Sequence, residues 1–183
     1  MTDHITRITQ IRNDLQQQCP EWSVPPIESI PHSNDSKVDN LARYIDHTAL
    51  KPNTTEPQIR VLCQEAIEYG FASVCVNGRW VKLVGELLSH TDVKVCTVVG
   101  FPLGAVDSSV KAFETSLVVE QGADEVDMVI SIGDLVNGTY GSVLNDIRAV
   151  VEASGAACVK VILETCLLNT EQKVIGALLS KMA

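Results

Sequence analysis

Five short apolar runs alternating with five amphipathic stretches predict an α/β fold built on a parallel sheet. The runs, 44–50, 72–77, 93–99, 122–130 and 158–164, start roughly twenty to thirty-five residues apart, the spacing of βα repeats. They are almost continuously apolar, which predicts strands buried on both faces. The stretches between them carry apolar residues at helical spacing.

The first forty residues differ from the rest. Ile5, Ile8, Ile11 and Leu15 predict a short amphipathic helix over 6–18. Pro20, Pro25, Pro26 and Pro31, with SNDS at 33–36, predict an irregular linker. Residues 1–40 are therefore read as an N-terminal extension, packed on the outside or mobile and without a catalytic role, and 41–183 as the main unit.

The regular rhythm then begins with the strand YIDHTAL (44–50), which stops at Lys51-Pro52. Thr54 or Thr55 caps a helix running to Tyr69, with Ile59, Leu62, Cys63, Ala66 and Ile67 inward and Gly70 ending it. ASVCVN (72–77) is the second strand, followed by a helix over 79–89. VKVCTVV (93–99) opens into the tight turn GFPLG (100–104), then a helix over 108–121. GADEVDMVI (122–130) leads into a loop over 132–138 and a helix over 140–153, with Val143, Ile147, Val150 and Val151 inward. CVKVILE (158–164) is the fifth strand, and Thr170 starts a last helix.

Composition excludes several classes. The chain has 183 residues and a formal charge of −9 without a basic cluster, which argues against a nucleic-acid surface. Its apolar runs fall far short of the ~20 residues of a membrane span, and its N-terminus has no secretory h-region. Six cysteines are scattered without a C-x-x-C pair, four inside apolar patterns, as reduced and buried thiols of a cytoplasmic protein would be. Cys75 and Cys96 read as core thiols, and Trp80 and Phe101 as packing residues. No cluster of His, Cys or acids has ligand spacing, so no metal site is expected. The nucleotide-binding glycine motifs are missing.

The candidate chemistry lies in the fourth and fifth strands. Period-2 alternation puts Glu125, Asp127 and Val129 on one face, and Lys160, Ile162 and Glu164 on one face of the next strand. Asp127 and Lys160 are thus opposite charges in mid-strand on neighbouring strands. They form either a salt-bridged core pair or a functional pair. Asp46 and His47 sit where a strand gives way to a loop and either contact a substrate or cap that loop.

Five segments in order, IDHTALKP (45–52), YGFASVCVN (69–77), VVGFPLGA (98–105), GADEVDMVI (122–130) and VKVILETCLL (159–168), resemble the deoxyribose-phosphate aldolases, a class I aldolase family with a (β/α)8 TIM barrel. The resemblance implies reversible cleavage of 2-deoxyribose 5-phosphate to acetaldehyde and glyceraldehyde 3-phosphate through a lysine Schiff base, without metal or organic cofactor. It implies that Asp127 is the catalytic proton donor and acceptor and that Lys160 holds it ionised. It places Asp46, Cys75 and Thr97 in the substrate pocket, more loosely. The family's imine-forming lysine lies in a strand-six segment resembling F-V-K-T-S-T-G, which is absent from these 183 residues. The expectation is therefore the first five βα units of such a barrel, with homo-oligomerisation or other self-association through open sheet edges. The rival reading is an inactive truncated remnant or a partner-binding half-barrel.

Overall fold

A computed structural model of the chain describes residues 2–27 and 40–183. Five parallel strands pair in chain order: β1 (Asp46–Ala49), β2 (Ser73–Val76), β3 (Lys94–Val99), β4 (Glu125–Val129) and β5 (Cys158–Ile162). Around them run α1 (Thr2–Gln18), α2 (Glu56–Tyr69), α3 (Val81–Leu88), α4 (Ser108–Glu120), α5 (Ile132–Asn137), α6 (Tyr140–Ser154) and α7 (Thr170–Met182). An unreversed strand order with crossovers of one hand puts every crossover helix on the same side of the sheet. A doubly wound sheet instead reverses its order at a switch point. The arrangement is an arc of a (β/α)8 barrel.

The expectation of strands buried on both faces holds for β2 and, apart from Lys94, for β3, but is corrected for β1 and β5, which are partly exposed along their length. Val74, Val76, Val95, Val99, Val126, Met128 and Ile130 face the helices and form the main core with Ile59, Val84, Val118 and Ile147. On the other face only Cys75, Cys96 and Val98 make a small buried cluster, joined by Leu50. β1 and β5 each pair on one side only among the described residues, so this face opens towards both edges.

Local signals set most boundaries. Thr55 and Gln58 form a capping box on α2, and Gly70 closes it at φ +65°. Asp107 caps α4 by accepting from Ser109 N–H, and Asn169 and Gln172 box the start of α7. Asp124 pins β4 to β3: its carboxylate accepts from Val95 N–H at 2.9 Å, and its own N–H donates to Val95 O at 2.8 Å.

Several details depart from the sequence reading. The first strand is shorter, because 41–44 form a 3-10 turn, and Asp46 therefore opens β1 rather than closing it. Ile67 lies on the exposed side of α2. Residues 132–137, expected as loop, form α5 because Leu135 finds a buried site and Gly138 supplies a left-handed cap. β5 stops at Ile162, and Glu164 turns the chain at φ +54°.

α1 packs on α7 through buried Ile11 and Leu15, while Ile5 is exposed. The segment after α1 folds back on it: Arg12 donates to Val24 O and Pro25 O, and Gln16 donates to Trp22 O. The rest of the expected linker, including Pro31 and 33–36, lies outside the described residues. All six cysteines are free, but only Cys63, Cys75 and Cys96 are buried; Cys158, at the open edge, is exposed. No helix among the described residues is long and apolar enough to cross a membrane.

Candidate active site

The strand register makes the site. Asp127 pairs with Val98 on one side and Lys160 on the other, so all three share the face turned away from the helices. Glu125 and Asp46 have the same parity. Lys160 Nζ lies 2.9 Å from Asp46 Oδ2, 3.0 Å from Glu125 Oε2 and 3.1 Å from Asp127 Oδ1. One ammonium from β5 thus holds three carboxylates, one from β1 and two from β4. Asp46 is fixed from its other side by the Ser73 hydroxyl, which donates at 2.7 Å. The Cys96 sulfur sits 3.8 Å from Lys160 Nζ.

This is not a buried pair. The Lys160 side chain is 37% exposed and that of Asp127 17%. The pairing of Asp127 with Lys160 was legible in the sequence. The participation of Glu125 and Asp46 was missed, although Glu125 already shared the Asp127 parity.

The charges settle unequally. Burial pushes the Asp127 carboxyl above its usual range, and Lys160 and the Cys96 thiol only partly pull it back. Burial alone would lower the Lys160 ammonium. The hydrogen bond to Asp46, the neighbouring sulfur and the two glutamate and aspartate carboxylates outweigh it and hold Lys160 well above an ordinary lysine. Asp46 feels some burial too, but its bonds from Lys160 and Ser73 bring it below the usual carboxylate range. Lys160 approaches Asp127 Oδ1 at ion-pair distance but off hydrogen-bonding geometry. That oxygen is buried and has no hydrogen-bond donor.

The other expected residues divide by parity. Cys75 is buried on the site face, in register with Cys96. Thr97 is a correction: it points into the helix-side core, fully buried, with its hydroxyl donating to Val76 O at 2.8 Å. His47 also faces the helices, 2.7 Å from Glu65 and with its ring tilted against that of Phe71 at 5.0 Å between centroids, so it does not join Asp46. A groove at the C-terminal end of β1 is lined by Thr48, Leu50, Lys51, Pro52 and Phe101.

Sequence reasoning also missed Lys111. Its side chain is 0% exposed on α4; it donates to Asp146 on α6 at 2.6 Å and to Val129 O, at the end of β4, at 2.9 Å. The signal was available: Lys111, Thr115 and Val118 fall on one helical stripe, the buried one.

Residues 41–177 match the profile of the DeoC/LacD family aldolases. The chain belongs to this aldolase family. It is 59% identical over 143 residues to the deoxyribose-phosphate aldolase of Streptococcus gordonii, covering 78% of this chain and 65% of that relative. The deoxyribose-phosphate aldolase of Clostridium botulinum (strain Langeland) is 57% identical, with 78% of this chain and 68% of the relative covered. Among solved structures, a candidate deoxyribose-phosphate aldolase from Coccidioides immitis superposes with TM-score 0.80 at 36% identity, over 94% of this chain and 68% of that one. The tetrameric deoxyribose phosphate aldolase of Aeropyrum pernix gives TM-score 0.71 at 33% identity, over 78% and 60%. The chain thus spans just under two thirds of the length of the Streptococcus relative.

Proposed function

We propose that this chain contributes Asp127 and Lys160 to a deoxyribose-phosphate aldolase, a cytoplasmic lyase that reversibly cleaves 2-deoxyribose 5-phosphate to acetaldehyde and glyceraldehyde 3-phosphate. The observation that carries the reading is the buried, donor-free oxygen of Asp127, 3.1 Å from a single ammonium. A carboxyl raised by burial and restrained by a cation suits proton transfer in both directions. Asp127 is therefore read as the proton donor and acceptor. Lys160 is read as the group that keeps it ionised and positioned. Asp46 and Glu125 fix the ammonium from its other sides, and Cys75 lines the same pocket. Residues 1–40 are read as an extension outside this unit.

Lys160 does not fit the role of Schiff-base nucleophile. An imine-forming lysine must present a neutral amine, which needs a lowered pKa. Three carboxylates do the opposite here. The imine-forming lysine is therefore assigned to another segment. The test is to incubate the chain with acetaldehyde and borohydride, digest it and map reductive adducts. Lys160 is expected to remain unmodified under conditions that label a complete aldolase; a stoichiometric adduct on Lys160 would reverse its assignment.

We further infer that the chain associates through its sheet edges. β5 is half-exposed along its length and, with β1, pairs on one side only among the described residues. An unpaired, β-branched strand is a template for another chain. Sedimentation at micromolar concentration should show species larger than the monomer. A well-dispersed monomer that binds no hydrophobic dye would count against it.

A further inference from the structure

The face that carries Asp127 also gathers sulfur. Cys75 and Cys96 are register partners on β2 and β3; Cys96 pairs in turn with Glu125 on β4, and Asp127 lies two residues further along on the same face. Their ligating atoms, two Sγ and a carboxylate oxygen, lie within 4.8 Å of one another. Both thiols are buried, and they are separate from the exposed Cys158 and Cys166. We propose that Cys75, Cys96 and Asp127 form a binding site for a thiophilic divalent cation of the Zn2+ or Cd2+ type. This inference does not depend on the aldolase reading.

Geometry, donor chemistry and charge support it. Ligands held about 2.3 Å from a tetrahedral metal are about 3.8 Å apart, so closing this triangle needs a contraction of at most about 1 Å. Two sulfurs and one carboxylate are a borderline-soft set that suits Zn2+ or Cd2+ and disfavours Mg2+ or Ca2+. Asp127 already has a buried oxygen without a donor. The surroundings are negative: Asp46, Glu125 and Asp127 set three carboxylates against the single ammonium of Lys160.

The competitor is that ammonium, 3.8 Å from the Cys96 sulfur. Asp46 and Glu125 retain it when the cation takes Asp127. Each thiol yields its proton to solvent as its sulfur–metal bond forms, so two protons leave and nothing is oxidised or reduced. The two thiols lie too far apart in sequence to form a ligand motif. Strand register alone brings them together.

The test is titration of the reduced chain with Cd2+ in a phosphine reductant, read by the ultraviolet sulfur-to-cadmium charge-transfer band. One cadmium per chain is expected to persist in the Cys158→Ser/Cys166→Ser variant. Outer partners of a metal site are already worth 10–100-fold in affinity, so losing a ligand in Cys75→Ser or Cys96→Ala should weaken binding by at least about tenfold. Lys160→Met should tighten it, a change that general loosening of the fold would not produce. In the unmodified chain, Zn2+ should slow alkylation of Cys75 and Cys96 together while leaving Cys158 unchanged. If the cysteine variants fail to fold, the Lys160→Met and alkylation results decide. Binding that survives loss of Cys75 and Cys96, follows Cys158 and Cys166, or weakens in Lys160→Met overturns the proposal.

Discussion

Replacing Asp146 with alanine is expected to destabilise the fold by about 3–5 kcal/mol, the usual cost of stranding one charge of a buried ion pair. The pair is Lys111–Asp146, 2.6 Å apart, with the two side chains 0% and 3% exposed. Lys111 also donates to Val129 O, and the Ser108 hydroxyl donates to Asp146 Oδ1 at 2.8 Å. Removing the carboxylate leaves a desolvated ammonium with one carbonyl acceptor and leaves Ser108 unpaired. Removing Lys111 instead strands the acid. Removing both, as Lys111→Met/Asp146→Leu, leaves only apolar volume and should recover much of the loss. Urea unfolding of the two single variants and the double variant measures this. A single-variant cost below about 1 kcal/mol, or a double variant equal to the sum of the singles, would show that the pair is not held as described. Lys160→Met is expected to cost less, because water reaches its half-exposed cluster and screens the charges left behind.

The contrast between these two lysines shows which features the sequence made legible. Asp127 and Lys160 could be paired from parity and strand adjacency alone, because period 2 and a parallel register leave few alternatives. Their burial could not. Exposure depends on what covers the second face of the sheet, and a run of Val and Ile looks the same whether one face or both are covered. Thr97 was misplaced for a related reason. It was assigned by its strand rather than its parity, and one residue's shift along a strand reverses the face. Lys111 stayed hidden because a lysine in a helix is by default a solvated residue. Only the packing of α4 on α6 showed that its partner lay 35 positions away in Asp146. Caps were read more securely: Thr55, Gly70 and the start of α7 act through neighbours within a few residues. Asp46 meets Lys160 from the opening residue of β1 rather than from a strand end, since the 3-10 turn over 41–44 and its cap at Ile45 displaced the start of the predicted strand.

Gly104→Ala is expected to be among the most damaging single-methyl additions to the chain. Gly104 ends the GFPLG turn at φ +64°, and its N–H donates to Gly100 O at 2.8 Å. A Cβ there would lie 2.2 Å from Ile130 O and 2.9 Å from Val129 Cγ1. The first of these is backbone at the end of β4 and cannot rotate away. Two costs therefore add: about 1–2 kcal/mol for a left-handed non-glycine residue and about 1–3 kcal/mol for overpacking, roughly 2–5 kcal/mol together. Gly70→Ala separates them. Gly70 has nearly the same φ, +65°, but its Cβ would meet nothing within 4 Å, so only the conformational cost applies. The difference between the two variants in urea isolates the close approach of the turn to β4. That approach matters for the site, because the same turn carries Phe101 to the groove beside β1 and rests on the strand that bears Asp127. Equal losses in the two variants would mean that the turn can lift off β4 at little cost, and the loop could not then be holding the end of that strand in place.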